Sequence, residues 1–533
     1  MKASTVKTFL DVHSWTGLAA GMALFIAFYA GAMTVFFHEL EVYDSYHDSA
    51  VVEPQPIEDA ERLLTLALDA QPGMADNLRL YPATAEHPEH VVRWFERLED
   101  DSFERHEFRL AEPGGLNTEA DNARLAGFIY HLHYTAGLPD AIGIYALGIV
   151  SLIYGLALVT GLLIFLPNFF KDLFSLRTGK NKKRFWLDSH NAVGVVSFPW
   201  HMMFAWSSVL LCLSVFLIAP FQLLVFDDNL LEILGPELGL VQPLKPTGET
   251  AGMLPVGELL AISQAEAPGF SPSQIRFTHY GDSNAMVQIF GGANSDTLLT
   301  NVGITLNAST GEVLGVRHPD TSGIGATFYN SLIALHFVSY GGYFLKWIYF
   351  IFGLAGAFLF YSGNLLWIET RRKRRRAEQP GNTILLARLN SGVCIGCMAG
   401  ISAAFLASRA LMDWSNRGDI TEWVYYGVFT AAVAWCFLRP VALGARDLLF
   451  ACAALTALIP IFDTVFLGMP IWQSLLQGEW PLFCVSLLAL LGAPVFLQLG
   501  LAVQRRAENG TPNSVWSLPA KSSVIDGRAE PAQ

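Results

Sequence analysis

Two stretches of this chain share a pattern that could do chemistry. Phe9-Leu10-Asp11-Val12-His13-Ser14-Trp15-Thr16-Gly17 and Trp186-Leu187-Asp188-Ser189-His190-Asn191-Ala192-Val193-Gly194 each read aromatic, Leu-Asp, one residue, His, then Gly four residues after the His. Each runs into an apolar segment, to Phe37 and to about Leu217. An ionisable side chain at such a place marks a functional site by default, and two in register suggest a duplicated one. Two further histidines, His133 and His336, each follow a Leu and precede a Gly-containing turn and another apolar segment. His201 follows His190 by 11 residues. In one continuous helix the two would share a face, ~16 Å apart along the axis. Pro199 stands between them and can bend that helix.

Neutral imidazole is a good iron ligand, and haem iron takes one axial group from each side. Histidines stacked at two depths of a helical bundle therefore suit two b-type haems, one near each membrane face. Other roles stay open on the residues alone. His13 and His190 could be structural, bonded to Asp11 and Asp188. His133 and His336 could be interfacial. His201 suits a ligand or a polar network, but its repeat counterpart is Leu24. His131 is the weakest of the set. Cys394-Ile395-Gly396-Cys397 has redox-pair spacing but lacks a following His and a thioredoxin-like context, so it reads as small buried side chains.

The chain that positions these groups has 533 residues, 52% hydrophobic and 15% charged, with mean hydropathy +0.37. That composition is a polytopic membrane protein's, not a soluble enzyme's. Eight apolar segments are predicted as spans: Thr16–Phe37, Ala141–Leu166, Ala192–Leu217, Phe344–Trp367, Ser391–Leu411, Trp423–Leu438, Leu448–Leu467 and Pro481–Val503. Uniform apolar runs argue for helices, because a barrel shows short alternating strands. The fold class expected is all-α and polytopic, a four-helix haem-binding bundle plus four C-terminal helices, carrying two small α+β extracytoplasmic domains.

Lys and Arg near span ends set orientation. Lys171–Arg184, Arg371–Arg376, Arg439 with Arg446, and Arg505 with Arg506 all fall on one side if the spans alternate. That side is expected to be cytoplasmic, with both termini, in a bacterial inner membrane. No cleavable signal is expected. The net charge of -13 comes mostly from the other side, and no nucleic-acid partner is expected.

In order, the expected units are span one (1–37), a first extracytoplasmic domain (38–130), spans two and three with a basic loop (131–225), a second domain (226–325), span four (326–370), a basic linker (371–390), four C-terminal spans (391–503) and a tail (504–533). Each domain reads as one helix, Ile57–Ala70 or Val256–Ala265, followed by strands. The strands are Asn77–Tyr81, His90–Phe95 and Arg105–Leu110 in the first domain, and Gln274–Thr278, Ala285–Phe290, Leu298–Leu306 and Glu312–Val316 in the second. The first 370 residues are thus two parallel repeats of span, domain, span.

The His-x-x-x-Gly helix starts, the Leu-His pairs before Gly turns, and the run Thr310-Gly311-Glu312-Val313-Leu314-Gly315 resemble PepSY-associated transmembrane proteins over about residues 5–370. That family includes inner-membrane di-haem ferric-siderophore reductases of iron uptake. The resemblance implies two b haems, PepSY domains outside the membrane and reduction of a ferric siderophore or other ferric chelate. By motif match it assigns ligand places to His13, His190, His133 and His336, with His201 as an alternative. The four C-terminal spans lie outside it.

The expected function is electron transfer across the bilayer to Fe(III), from a quinol or a separate reductase, since no nucleotide-binding fingerprint is present. The rivals are a non-enzymatic membrane protein binding a peptide, peptidase or chelate, and a transporter, which the scarcity of charge in the spans disfavours.

Overall fold

The computed structural model describes residues 3–46, 53–84, 88–97, 103–111, 115–118, 124–168, 182–227, 229–230, 241–293, 301–318 and 323–518. The expected turn at Pro113-Gly114 and most of the first basic loop, including Lys171, Arg177 and Lys180, lie outside them.

The first repeat holds α1 (Ala3–Thr34), α2 (Phe37–Ser45), α3 (Ile57–Ala70), β1 (Leu78–Tyr81), β2 (Val91–Arg97), β3 (Phe103–Ala111), β4 (Gly115–Asn117), α4 (Leu125–Thr135) and α5 (Asp140–Phe165). The second holds α6 (Lys182–Val196), α7 (Phe198–Leu224), α8 (Val256–Glu266), β5 (Phe270–Thr278), β6 (Met286–Ala293), β7 (Asn301–Asn307), β8 (Val313–Arg317), α9 (Ile324–Phe337) and α10 (Gly342–Thr370). Then come α11 (Gly381–Ala410), α12 (Arg417–Leu438), α13 (Val441–Leu467), α14 (Ile471–Gln477) and α15 (Trp480–Asn509).

Among the described residues seven helices are long and apolar enough to cross a membrane: α1, α5, α7, α10, α11, α13 and α15. This is a multi-pass membrane protein. The expected span Trp423–Leu438 is helical, within α12, but it does not join the seven. Arg417, Asp419 and Glu422 in its first two turns leave too short an apolar run. Helix α1 packs on α5 and α10, α5 on α7, and α10 on α6. The second repeat's first helix is interrupted at Ser197, with Pro199 opening α7, so His190 and His201 stand on separate helices rather than on one continuous face. Proline lacks the N–H that would carry the helix through.

The two expected domains are not separate. Their eight strands form one antiparallel sheet in the order β4-β3-β2-β1-β5-β6-β7-β8. The halves join where β1 pairs with β5, Leu78 opposite Phe277, Arg79 opposite Arg276 and Leu80 opposite Ile275. Alternation explains the join. Leu78, Leu80, Ile275 and Phe277 all point to one face, where they meet Leu63 and Leu64 of α3 and Leu259 of α8 in one core. Each first strand would otherwise be a bare edge.

The C-terminal helices are fastened to the first repeat by buried polar contacts. Arg409 of α11 and Asp463 of α13, each 1% exposed, meet at 3.0 Å. Tyr43 Oη and Ser486 Oγ donate to the same carboxylate, both at 2.9 Å. The Arg409 guanidinium also lies over the Tyr43 ring, 3.8 Å from its centroid. Asp463 thus ties α11, α15 and α2 together rather than facing lipid. Removing one partner of a buried ion pair costs about 3–5 kcal/mol, while replacing both by apolar groups is often mild. Asp463→Ala should therefore lower the thermal unfolding temperature in detergent sharply, and Arg409→Leu with Asp463→Leu should restore most of it. Equal losses in both would mean the network contributes through more than charge compensation.

Candidate functional site

The structure brings the sequence-predicted histidines together in two pairs. His13 of α1 and His190 of α6 have ring centroids 6.3 Å apart at an interplanar angle of 72°. His133 of α4 and His336 of α9 have centroids 6.0 Å apart at 43°. Each pair takes one histidine from each repeat. The pairs lie at different depths. His133 bonds to Ala27 of α1, 14 residues beyond His13, so the two levels are ~21 Å apart along that helix.

The hydrogen bonds around each ring fix what the pairs can do. His13 Nδ1 lies 2.9 Å from the Ala157 carbonyl and His133 Nδ1 2.7 Å from the Ala27 carbonyl. A carbonyl only accepts, so Nδ1–H donates in both, and Nε2 of the neutral ring keeps its lone pair. His190 Nδ1 lies 3.1 Å from Ser362 Oγ, whose own proton goes to the Leu359 carbonyl. His336 Nδ1 lies 2.6 Å from Ser207 Oγ, whose proton goes to the Met203 carbonyl. Both hydroxyl oxygens therefore accept from the ring, and the same tautomer results. None of the four Nε2 atoms is hydrogen-bonded among the described residues. A ring held through Nδ1–H with Nε2 free is the arrangement of a metal-ligating histidine and its supporting acceptor.

His201 is brought to neither pair. It is 1% exposed, and its Nδ1 meets the hydroxyl of Tyr154 on α5. That hydroxyl has no other acceptor among the described residues, so donation to Nδ1 satisfies it and leaves the proton on Nε2, a buried atom with no partner. The tautomer is the opposite of the four paired rings. His201 sits in an aromatic packet with Phe28 (5.4 Å between centroids), Tyr154 (5.9 Å) and Phe360 (6.3 Å). Phe28 continues to Phe204 at 5.8 Å, and Phe204 to His336 at 5.5 Å. His131 instead contacts Asp140, 3.2 Å away. His90 is a domain residue, its Nδ1 accepting the Ala83 N–H and its Nε2 meeting the Pro56 carbonyl.

Local structure explains how the rings reach their places. Helices α4 and α9 end in the left-handed region at Ala136 (φ 54°) and Val338 (φ 47°), equivalent positions of the two repeats. The conformation is uncommon for alanine and strained for a β-branched residue. It ends α4 two residues after His133 and α9 one residue after His336, and turns the chain into α5 or α10. Glycines make room for the rings. A Cβ on Gly161 would lie 2.9 Å from His13, one on Gly363 3.3 Å from His190, and one on Gly31 2.5 Å from His133 Nδ1. Gly161 and Gly363 follow Thr160 and Ser362 at matching places in α5 and α10, a repeat signal that sequence reasoning missed. Gly31→Ala should displace the His133 ring from the Ala27 carbonyl without removing a polar group, read as changed imidazole nitrogen shifts for His133 and unchanged ones for His13 and His190. Unchanged His133 shifts would show that the site accommodates the methyl group.

The sequence pattern of the PepSY-associated TM region matches residues 10–370. The chain belongs to the PepSY-associated transmembrane family. Both histidine pairs fall inside the matched region, while α11–α15 lie outside it. An uncharacterised protein of Pseudomonas aeruginosa is similar to it, 25% identical over 352 residues, 62% of this chain and 85% of that protein.

Proposed function

We propose that this family member is a di-haem electron-transfer protein that reduces a ferric chelate outside a bacterial inner membrane. The observation that carries the reading is the common state of the four paired imidazoles, each with Nδ1–H anchored and Nε2 free. One group held by both imidazoles of a pair would need the rings close together, and the centroids stand 6.3 and 6.0 Å apart. Two nitrogens are too few for a bare ion. Among the described residues no group of three or more His, Cys, Asp or Glu side chains could hold one. Two suffice for an iron whose other positions a porphyrin fills. The residues therefore fit haem b, with His13 and His190 holding one group and His133 and His336 the other. Four Nε2 atoms without a hydrogen-bond partner among the described residues favour a ligand role over a purely structural one.

Bound haem would supply one-electron chemistry at each level. The chain's own residues do the rest. Ala157, Ala27, Ser362 and Ser207 hold the ring planes and the tautomer. Phe28, Phe204, Phe360 and Tyr154 fill the space between the levels and exclude water. The basic segments beside α6 and after α10 support a cytoplasmic His13 level with the sheet outside. Electrons would enter from a quinol or a separate reductase and leave at the His133 level to Fe(III). Reduction weakens the hold of a hard-oxygen chelator on iron.

An absorption spectrum of the purified protein before and after dithionite tests this directly. Two b-type haems per chain are expected. Correctly folded protein that is colourless after expression in haem-replete cells would favour the non-enzymatic binding protein instead.

A further inference from the structure

We infer that the sheet face opposite α3 and α8 binds the chelate, and that the chelate is an anion rich in carboxylate-type oxygens. The inference rests on the reductase reading and adds the substrate's charge and its place of binding.

Strand alternation puts Arg79 on the face opposite the buried Leu78 and Leu80. The register sets Arg93 of β2 directly across from Arg79 on one side and Arg276 of β5 on the other. Three arginines from three adjacent strands thus form one row, with the Cα atoms of opposed residues ~5 Å apart. Like charges directly opposite in a sheet are destabilising, so the row is a cost to the fold unless something neutralises it.

Within the described residues only one end of the row is neutralised. Arg93 Nε lies 2.5 Å from Glu107 Oε1, the next position across, and Arg109 shares that carboxylate at 3.2 Å. Arg276 has only the neutral Asn77 Oδ1, at 3.0 Å. Arg79 lies over the Phe95 ring, 4.9 Å from its centroid, and its buried Nε has no acceptor. Arg317 of β8 stands on the same face, opposite Gly303, which itself lies opposite Phe290. Its Nε is also buried without an acceptor. Burial, and then the neighbouring Arg79, hold the Arg276 guanidinium below its ordinary value, and burial does the same for Arg317. Three guanidinium groups therefore share a face with no carboxylate partner among the described residues.

The rest of the face suits an oxygen-rich ligand. Arg93 lies over the Tyr81 ring at 4.5 Å, and Tyr81 Oη accepts a hydrogen bond from Gln274 at 3.2 Å. The aromatic faces hold the guanidinium planes, which present fixed pairs of N–H donors to carboxylates. The β1–β5 junction, where the two repeats meet, is the centre of this surface. Neither repeat alone would carry it.

The test uses the full chain in nanodiscs and gallium(III) citrate, whose metal cannot be reduced, so binding is read independently of haem. Arg79→Gln, Arg276→Gln and Arg317→Gln should each weaken gallium citrate binding about tenfold and flatten its salt dependence. The corresponding Lys variants should lose less. Thermal unfolding of each variant should be unchanged or raised, since repulsion is relieved. Affinities within twofold of the parent in all three Gln variants would overturn the inference. So would binding that disappears when phosphatidylglycerol replaces the neutral lipid, which would assign the arginines to lipid headgroups. A colourless parent protein that still binds gallium citrate would remove the reductase reading and leave this site standing.

Discussion

His13→Ala and His190→Ala should each remove the same haem and leave the other in place. The two ring centroids are 6.3 Å apart, each ring anchored through Nδ1 to α5 or α10. Either substitution removes one of the two imidazoles that would hold the proposed haem. The haem content of purified protein should fall from two per chain to one in both, and the remaining reduced spectrum should be identical. The double variant should lose no more than either single one. Depletion of different haems by the two substitutions would mean that the pairs are assembled otherwise in the loaded protein.

His133→Ala and His336→Ala should spare donor-driven reduction at the His13 level and abolish reduction of an external ferric chelate. The levels are ~21 Å apart along α1, too far for one group to serve both ends of a ~30 Å core. Stopped-flow spectroscopy on inverted vesicles separates the two steps. His201→Ala is the control. Its tautomer and its Tyr154 bond give it no free lone pair, so both haems should remain, whatever happens to the transfer rate. Normal chelate reduction in both pair variants, with His201→Ala alone blocking it, would move the ligand role to His201. Normal reduction in all three would remove the two-level path.

The histidines themselves were legible in the sequence because the motif around His13 and His190 is repeated, as are the Leu-His steps before the Gly turns. What holds them was less so. Ala157 and Ala27 act through backbone carbonyls, which no side-chain type advertises. Gly161 and Gly363 were legible in principle, since both follow a hydroxyl residue at the same place in the repeat. The reading of His201 as an alternative ligand placed it on one helix face with His190, and the break between α6 and α7 at Ser197 was not legible in that spacing. Arg417, Asp419 and Glu422 show why the sixth apolar segment falls short: hydropathy over 16 residues says nothing of the charged turns that start the helix. The helices Ile57–Ala70 and Val256–Glu266 and most strands lie within a few residues of their expected positions. The join between β1 and β5 was not legible. Leu78-Arg79-Leu80 alternates equally well as an edge strand or a central one, and only the tertiary fold decides.

That join has a meaning for the chain's history and for its dissection. The strand order runs outward from β1 on one side and from β5 on the other, so the sheet has an approximate two-fold axis at the Arg79–Arg276 pair. A gene encoding one repeat would make a protein whose sheet ends in an unpaired strand and whose imidazoles each lack a partner. Two such proteins meeting strand to strand would complete sheet and histidine pairs together, in one isologous contact. The present molecule reads as such a homodimer fused into a single polypeptide. Cut between the repeats, its halves should seek each other, or copies of themselves, through the same edge.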